Sequence, residues 1–107
     1  MTQEQLRIIL QQLRDGLSSI LGSRMVAAYL YGSQARGDAY PDSDIDILVV
    51  LKGNFNYFDM IEKTGELVAN LSLDHDTVIS LAFAPKESYD YRRTPFLLNV
   101  RQEGIAI

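Results

Sequence analysis

The sequence predicts an α+β fold in which a small mixed β-sheet is packed by helices. Two strands are expected at residues 25–31 and 44–51 with only a turn and a loop between them, unlike the regular strand–helix alternation of parallel α/β folds. An amphipathic helix precedes the first strand, and helices are predicted on either side of a third strand at residues 77–83. The 107 residues leave no room for a second core of independent size, so we expect one domain over residues 1–107.

The N-terminal part of the chain reads as a helix followed by a strand. Residues 3–21 have apolar side chains at three- and four-residue spacings, which is typical of an amphipathic helix. Thr2 is the expected N-cap and Gly22 the expected stop. Gly16 is expected to weaken this helix by about 1 kcal/mol relative to alanine. Residues 25–31 form a short apolar run, which predicts a buried strand.

The remaining elements follow from changes in periodicity. Residues 44–51 alternate between polar and apolar at first and are then continuously apolar. This pattern predicts a strand whose start is exposed to solvent and whose end lies in the core. A second amphipathic helix is expected over residues 57–71, followed by a polar connection at residues 73–76. A proline at the start and a glycine just past the end predict a helix over residues 95–103. Residues 105–107 could add an edge strand.

Composition and charge disfavour several classes of function. Apolar residues make up 47% and charged residues 22%, as in ordinary folded proteins rather than disordered ones. The net charge of −4 disfavours attraction to nucleic acids or anionic membranes, so we expect neither as a direct partner. The absence of cysteine excludes disulfides and zinc–thiolate sites. No apolar run approaches the roughly 20 residues that span a bilayer, and the N-terminus has no signal-peptide pattern. We therefore expect a cytoplasmic protein.

Four aspartates fall between residues 38 and 46, and two of them form an informative pair. Asp44 and Asp46 are two positions apart at the start of a predicted strand, so their side chains should share one face. Carboxylates at this spacing can converge on one divalent ion or bridge two. Their hard oxygen atoms favour Mg²⁺ or Mn²⁺ over zinc. The spacing predicts a metal-binding pair, and a solvated acidic turn is the simpler alternative.

A candidate phosphate-binding segment directly follows the first predicted strand. Gly32 lets the backbone approach a phosphate closely, and Ser33 adds a hydroxyl donor and a backbone N–H group. The start of a short helical turn would also favour negative charge. Arg36 could reach either a phosphate or the neighbouring aspartates. A phosphate cradle at the end of one strand, followed by a metal-binding pair at the start of the next, indicates phosphoryl or nucleotidyl transfer.

Residues 31–46 resemble the minimal nucleotidyltransferase (MNT) domains of the DNA polymerase β-like nucleotidyltransferase superfamily. The signature of these domains is Gly-Ser, an intervening stretch and then Asp-x-Asp, which is met here by Gly32-Ser33 and Asp44-Ile45-Asp46. The details Ala35-Arg36-Gly37 and Asp42-Ser43 match as well. The resemblance implies the nucleotidyltransferase fold, a small mixed sheet packed by helices.

The resemblance also implies a reaction and its participants. Gly32 and Ser33 would hold a nucleoside triphosphate, with ATP expected first, and Asp44 and Asp46 would be the catalytic carboxylates that bind two Mg²⁺ ions. The metals would activate an acceptor hydroxyl and neutralise charge at the α-phosphate as pyrophosphate leaves. Short chains of this family are commonly antitoxins of toxin–antitoxin pairs, whose partner is an all-helical HEPN protein, and some transfer AMP onto a partner tyrosine. A homo-oligomer is also compatible with the sequence.

One position departs from the pattern of the superfamily, which usually has a third carboxylate on the next strand. The central polar residue of the strand predicted at residues 77–83 is Ser80, a poor substitute for a carboxylate. Asp76 shares its parity but lies roughly 13 Å away along a strand, so it would reach the site only with a later strand start or a shifted register. The sequence therefore leaves two functions open, an active enzyme or a catalytically weak or inactive module that binds a helical partner.

Overall fold

The structure is a computed structural model that describes residues 1–40 and 43–107. Pro41 and Asp42, the second of which belongs to the sequence motif, lie outside the described residues. None of the helices in those two ranges combines the length and the apolarity needed to cross a membrane. The elements in chain order are α1 (Gln3–Leu21), a 3₁₀ turn (Gly22–Arg24), β1 (Met25–Tyr31), α2 (Ser33–Arg36), β2 (Ile45–Leu51), α3 (Tyr57–Asp74), β3 (Ile79–Pro85), α4 (Lys86–Tyr91), α5 (Pro95–Glu103) and β4 (Ile105–Ala106).

The four strands form one mixed sheet in the order β3–β2–β1–β4. β1 pairs antiparallel with both β2 and β4, whereas β2 pairs parallel with β3. Parallel neighbours need a crossover connection, and α3 provides it. The predicted mixed α+β fold is confirmed, including the short final edge strand.

The first helix begins and ends where its capping residues predict. The Thr2 hydroxyl accepts the backbone N–H of Gln5, and the Gln5 side chain accepts the backbone N–H of Thr2, so the two form a capping box. Gly22 ends the helix with a φ of +56°, a conformation that favours glycine. The apolar face that α1 buries consists of Ile9, Leu13, Leu17 and Leu21.

The end of α3, the limits of β3 and one unpredicted helix are the main differences from the sequence-based expectation. α3 continues to Asp74, three residues past its predicted end, because its last turn places Leu73 in solvent and so carries no apolar signal. β3 starts at Ile79, two residues late, because the chain is still leaving α3 at Thr77, whose N–H bonds the carbonyl of Ser72. α4 was not predicted, since its six residues are mostly polar and too short to show a period.

The sheet is covered on both faces, so the fold has three layers. α1 and α3 pack on the face that holds Ile45, Ile47 and Val49. α4 and α5 pack on the opposite face, over Leu48 and Val50. The second covering stops short of the start of β2, where the side chain facing this way is the half-buried Asp46.

Candidate active site

The predicted phosphate cradle and the predicted metal ligands meet where β1 ends and β2 begins, in the centre of the sheet. Because β1 and β2 are antiparallel, the end of β1 lies beside the start of β2, and Tyr31 pairs with Asp46. Gly32 and Ser33 follow Tyr31 directly, and Asp44 precedes β2 by one residue. Two segments predicted separately from the sequence therefore form one site.

Gly32 lies directly against the carboxylate of Asp46. A Cβ atom at this position would be only 2.6 Å from the Oδ2 atom of Asp46. The φ of Gly32 is +77°, in the left-handed region that side chains other than glycine rarely adopt. Its carbonyl accepts the N–H groups of Ala35 and Arg36, both at 3.1 Å, and so starts α2. Space and backbone conformation both require glycine here, which keeps the cradle backbone open beside the carboxylate.

Asp44 and Asp46 form an uncompensated acidic pair. Burial, followed by the negative charge of Asp44, raises the pKa of Asp46 above its usual value, so the two carboxylates are close enough to repel each other. Within residues 1–40 and 43–107, neither forms an ion pair with a basic side chain. Such a pair suits a divalent cation with hard oxygen preference.

The donor set offered by this chain fits an ion that shares its shell with substrate. In the described part of the chain, no group of three or more histidine, cysteine, aspartate or glutamate side chains could hold a metal. Magnesium is usually bound by one or two carboxylates, with water and substrate phosphates completing its octahedron. Asp44 and Asp46 are therefore the residues that could hold a cation here, with phosphate oxygens as further ligands.

Ser80 lies beside Asp46 on the other side from Tyr31. It pairs with Asp46 in the parallel ladder between β2 and β3, and paired residues point to the same face of a sheet. The row Tyr31, Asp46, Ser80 thus crosses three strands. The third position of this row holds a hydroxyl group where the superfamily usually has a carboxylate.

Asp76 does not join the site. It lies in the turn between α3 and β3 with a φ of +50°, three residues before the strand begins. It is exposed and borders a depression at the start of α1, on the face of the sheet opposite Asp46. Its neighbour His75 forms a 2.8 Å hydrogen bond with the side chain of Gln12 in α1. The later start of β3 moves Asp76 out of reach rather than into the site.

Arg36 contacts carboxylates in this structure. Its guanidinium group lies 3.2 Å from Asp38 and 3.2 Å from Glu103 at the end of α5. These partners, Asp38 foremost, raise the pKa of Arg36. Of the two roles left open by the sequence, contact with a nearby aspartate is the one observed, and phosphate binding stays a prediction. Exposed pairs of this kind contribute little to stability, so Arg36 could exchange them for a phosphate.

Sequence reasoning missed the aromatic residues that border the site. The Tyr31 ring packs edge-on against Phe96 of α5, with ring centroids 5.3 Å apart. Burial, and then the charge of Asp46, raise the pKa of the Tyr31 hydroxyl. The contact joins residues 31 and 96, which are far apart in the chain, so no local sequence pattern signals it.

Comparisons with known proteins identify the family and the fold of this chain. Residues 10–98 match the nucleotidyltransferase domain family. A candidate protein adenylyltransferase of Methanocaldococcus jannaschii, MJ0141, is 27% identical over 99 residues, covering 92% of this chain and 95% of the relative. A chain from a toxin–antitoxin complex with AMP-PNP has a TM-score of 0.65 at 21% identity, over 90% of this chain and 69% of that one. A chain from the complex of the tri-AMPylated Shewanella oneidensis HEPN toxin with its MNT antitoxin has a TM-score of 0.53 at 22% identity, over 99% and 71%.

These matches differ in what they establish. At 21% and 22% identity, the two solved structures establish the fold. The family match covers most of the chain, from the middle of α1 into α5, and includes both halves of the site. The chain therefore belongs to the nucleotidyltransferase domain family and has the fold of the minimal nucleotidyltransferases.

Proposed function

We propose that this chain is a Mg²⁺-dependent adenylyltransferase that moves AMP from ATP to a hydroxyl group on a helical partner protein. The observation that carries the proposal is the contact between the Asp46 carboxylate and Gly32, which joins the acidic pair to the phosphate cradle. The similarity to a candidate protein adenylyltransferase and to complexes that contain AMP-PNP or an AMPylated toxin supports the choice of nucleotide and acceptor.

Each residue of the site has a role in this proposal. Gly32 lets the backbone approach the triphosphate, and the Ser33 hydroxyl donates to it. Asp44 and Asp46 hold one or two Mg²⁺ ions, which when bound supply positive charge at the α-phosphate and acidify the acceptor hydroxyl. The acceptor oxygen forms a bond to the α-phosphorus while the bond to pyrophosphate breaks and the hydroxyl proton passes to solvent. The pairing of β2 with both neighbours holds Asp46 in position throughout.

The same proposal includes a biological role. We infer that the chain is the antitoxin of a toxin–antitoxin pair, that it modifies an HEPN-type toxin and that it does so in the cytoplasm, where ATP is available. The support is the similarity in fold to chains from toxin–antitoxin complexes, one of which contains an AMPylated HEPN toxin.

A second function is favoured by Ser80. This serine lies beside Asp46 in the position where a third carboxylate would share the metals or accept the proton of the acceptor. A neutral hydroxyl does both less well than a carboxylate. The alternative proposal is a catalytically weak or inactive module that keeps the fold and binds a helical partner.

The two functions are separated by a labelling experiment. The purified chain is incubated with Mg²⁺, labelled ATP and the product of the gene next to its own, and this candidate partner is examined for label and for binding. We expect AMP on a partner hydroxyl, no label with Asp44→Asn plus Asp46→Asn, and normal label with the matched control Asp15→Asn on the exposed side of α1.

Each other outcome decides between the proposals. Tight binding without label would refute the enzyme and support the proposed binding module. Equal labelling by the double variant would refute the assigned carboxylates. The absence of both binding and label would refute the proposed partner.

A further inference from the structure

An apolar groove runs between α3 and the free edge of β3. Among the described residues, β3 pairs with β2 and has no strand on its other side, where α3 side chains cover two of its outward N–H groups. The Ser72 hydroxyl accepts from the N–H of Ile79 at 3.4 Å, and the Tyr57 hydroxyl accepts from the N–H of Phe83 at 3.2 Å. Between these contacts the edge stays open as a groove of about 200 Å³, lined by Ile61, Thr64, Gly65, Val68, Ile79 and Leu81.

Gly65 lines this groove without an internal reason for being glycine. It lies in the middle of α3, where glycine destabilises a helix relative to alanine. A Cβ atom at this position would meet nothing within 4 Å, whereas one at Gly16 in α1 would be 2.6 Å from Leu67 Cδ1. Among residues 1–40 and 43–107, no neighbour requires the glycine at position 65. A side chain from another protein that approaches this position closely would require it.

Large exposed apolar side chains flank Gly65 along the same helix. Phe58 is 68% exposed, Ile61 41% and Leu73 81%. Residues three and four apart are neighbours on a helix surface, so Phe58, Ile61, Gly65, Ala69 and Leu73 form one continuous stripe, here named the α3 stripe. The stripe is bulky at both ends and small in the middle. Helices pack by inserting large side chains into gaps between those of the other helix, so this shape suits a helix that crosses α3 at Gly65.

The charges beside the α3 stripe indicate the kind of helix that fits. Glu62 and Glu66 are exposed along its margin, and Asp59 lies near its start. Lys63 is the one basic residue of α3. A contact between two copies of this chain would place the same patch on both sides and set these glutamates against their own copies. The acidic margin therefore favours a different protein whose helix carries lysine or arginine beside its apolar face.

We propose that the α3 stripe binds an amphipathic helix of the partner protein, with a large apolar side chain over Gly65 and basic side chains beside Glu62 and Glu66. The identity of the partner rests on the proposed function, which supplies a helical protein. The surface lies along the outer edge of β3 and is formed by none of the residues assigned to nucleotide or metal. Partner binding and AMP transfer can therefore be measured with separate variants.

The test fills the groove and measures binding by titration calorimetry. The probe is the product of the gene next to that of this chain, which the proposed function takes to be the helical partner. Gly65→Met should weaken binding about tenfold or more, because the methionine side chain would occupy the space that the partner's large apolar side chain needs. The matched control Asn70→Met adds the same side chain to an exposed position about 140° further round α3 and should bind as the wild type does. Circular dichroism and thermal melting should show both variants folded.

A charge variant tests the proposal without changing the packing. The double variant Glu62→Gln plus Glu66→Gln should bind the partner about threefold more weakly than the wild type. This difference in affinity should shrink as the salt concentration is raised. Wild-type binding that is unaffected by both Gly65→Met and the charge variant would overturn the α3 stripe while leaving the transfer reaction untouched.

The remaining outcomes separate this inference from the proposed function. Binding that depends on Gly65 without AMP transfer would support the α3 stripe and refute the enzyme. No binding by the wild type would overturn both the stripe and the partner. A dimer of the isolated chain that sedimentation detects and Gly65→Met abolishes would overturn the proposal in favour of a second copy.

Discussion

Neighbouring residues of β2 face opposite sides of the sheet and meet different surroundings. Ile45 and Ile47 are fully buried under α1 and α3, whereas Asp46 between them is half-buried on the face covered by α4 and α5. The first face is closed along the whole strand, but the second is closed only from Leu48 onward. Packing on the first face therefore holds the strand in position, while the second face leaves the carboxylate of Asp46 accessible. Stability and activity should therefore respond to different substitutions in the same strand.

The largest effect is expected from Asp46→Asn on the open face. The amide removes a negative charge that would hold the cation beside Gly32, so AMP transfer should fall about a thousandfold, in line with the loss of a principal electrostatic contact in other enzymes. Initial rates of partner labelling at saturating Mg²⁺ would measure it. Transfer within a factor of two of the wild type would show that the open face is not the active face.

The counterpart on the closed face is Ile47→Ala. This residue is fully buried between α1, α3 and the sheet, so the cavity should lower the free energy of unfolding by about 3 kcal/mol. Urea denaturation followed by circular dichroism would measure the loss. Labelling per folded molecule should change little, and a loss as large as that of Asp46→Asn would break the distinction between the faces.

Ser80→Asp adds a carboxylate to the open face beside Asp46. If the chain is an enzyme limited by its missing third carboxylate, transfer should rise about a hundredfold, the lower end of a general-base contribution. The matched control is Ser80→Asn, which has the same shape without the charge and should not raise the rate. A decrease with Ser80→Asp would show that the hydroxyl suits this site better than a carboxylate does.

A smaller effect is expected from Gly65→Ala in α3, the helix that covers the closed face. Because a Cβ atom meets nothing there and alanine is the better helix former, the free energy of unfolding should rise by about 1 kcal/mol. Gly16→Ala should gain less or lose stability, since its Cβ would press on Leu67. Thermal melts of the two variants would measure both effects, and a loss of stability at position 65 would contradict the open groove.

The smallest effect concerns pH and the metal-free protein. The pKa of Asp46 is raised in the folded chain, so its ionised form lowers stability at pH values above that pKa, and this cost disappears below the unfolded value of about 4. Asp46→Asn should therefore melt at a higher temperature than the wild type at pH 7 in EDTA. The two melting temperatures should converge near pH 3, and a difference that persists there would rule out titration as the cause.

Most of the secondary structure could be predicted because its signals are local. The capping pair Thr2 and Gln5, the apolar spacing of α1 and the continuous apolar run of β2 lie within a few residues of the atoms they position. The same holds for α5, which has Pro95 at its first turn. The failures were the C-terminal end of α3, the start of β3 and the polar α4, where exposed residues leave no periodic pattern.

Sequence alone was enough to predict the order of the main strands and helices, though not α4, and to propose the chemistry of the site, because the roles proposed for Gly32, Ser33, Asp44 and Asp46 depend on residue type and short spacing. Which other residues lie beside them depends on the tertiary contacts. The parallel register of β3 against β2 brings Ser80 beside Asp46 and leaves Asp76 outside. Strand register, helix docking and the open space at a glycine depend on contacts between residues far apart in the chain, and a local pattern does not encode those contacts.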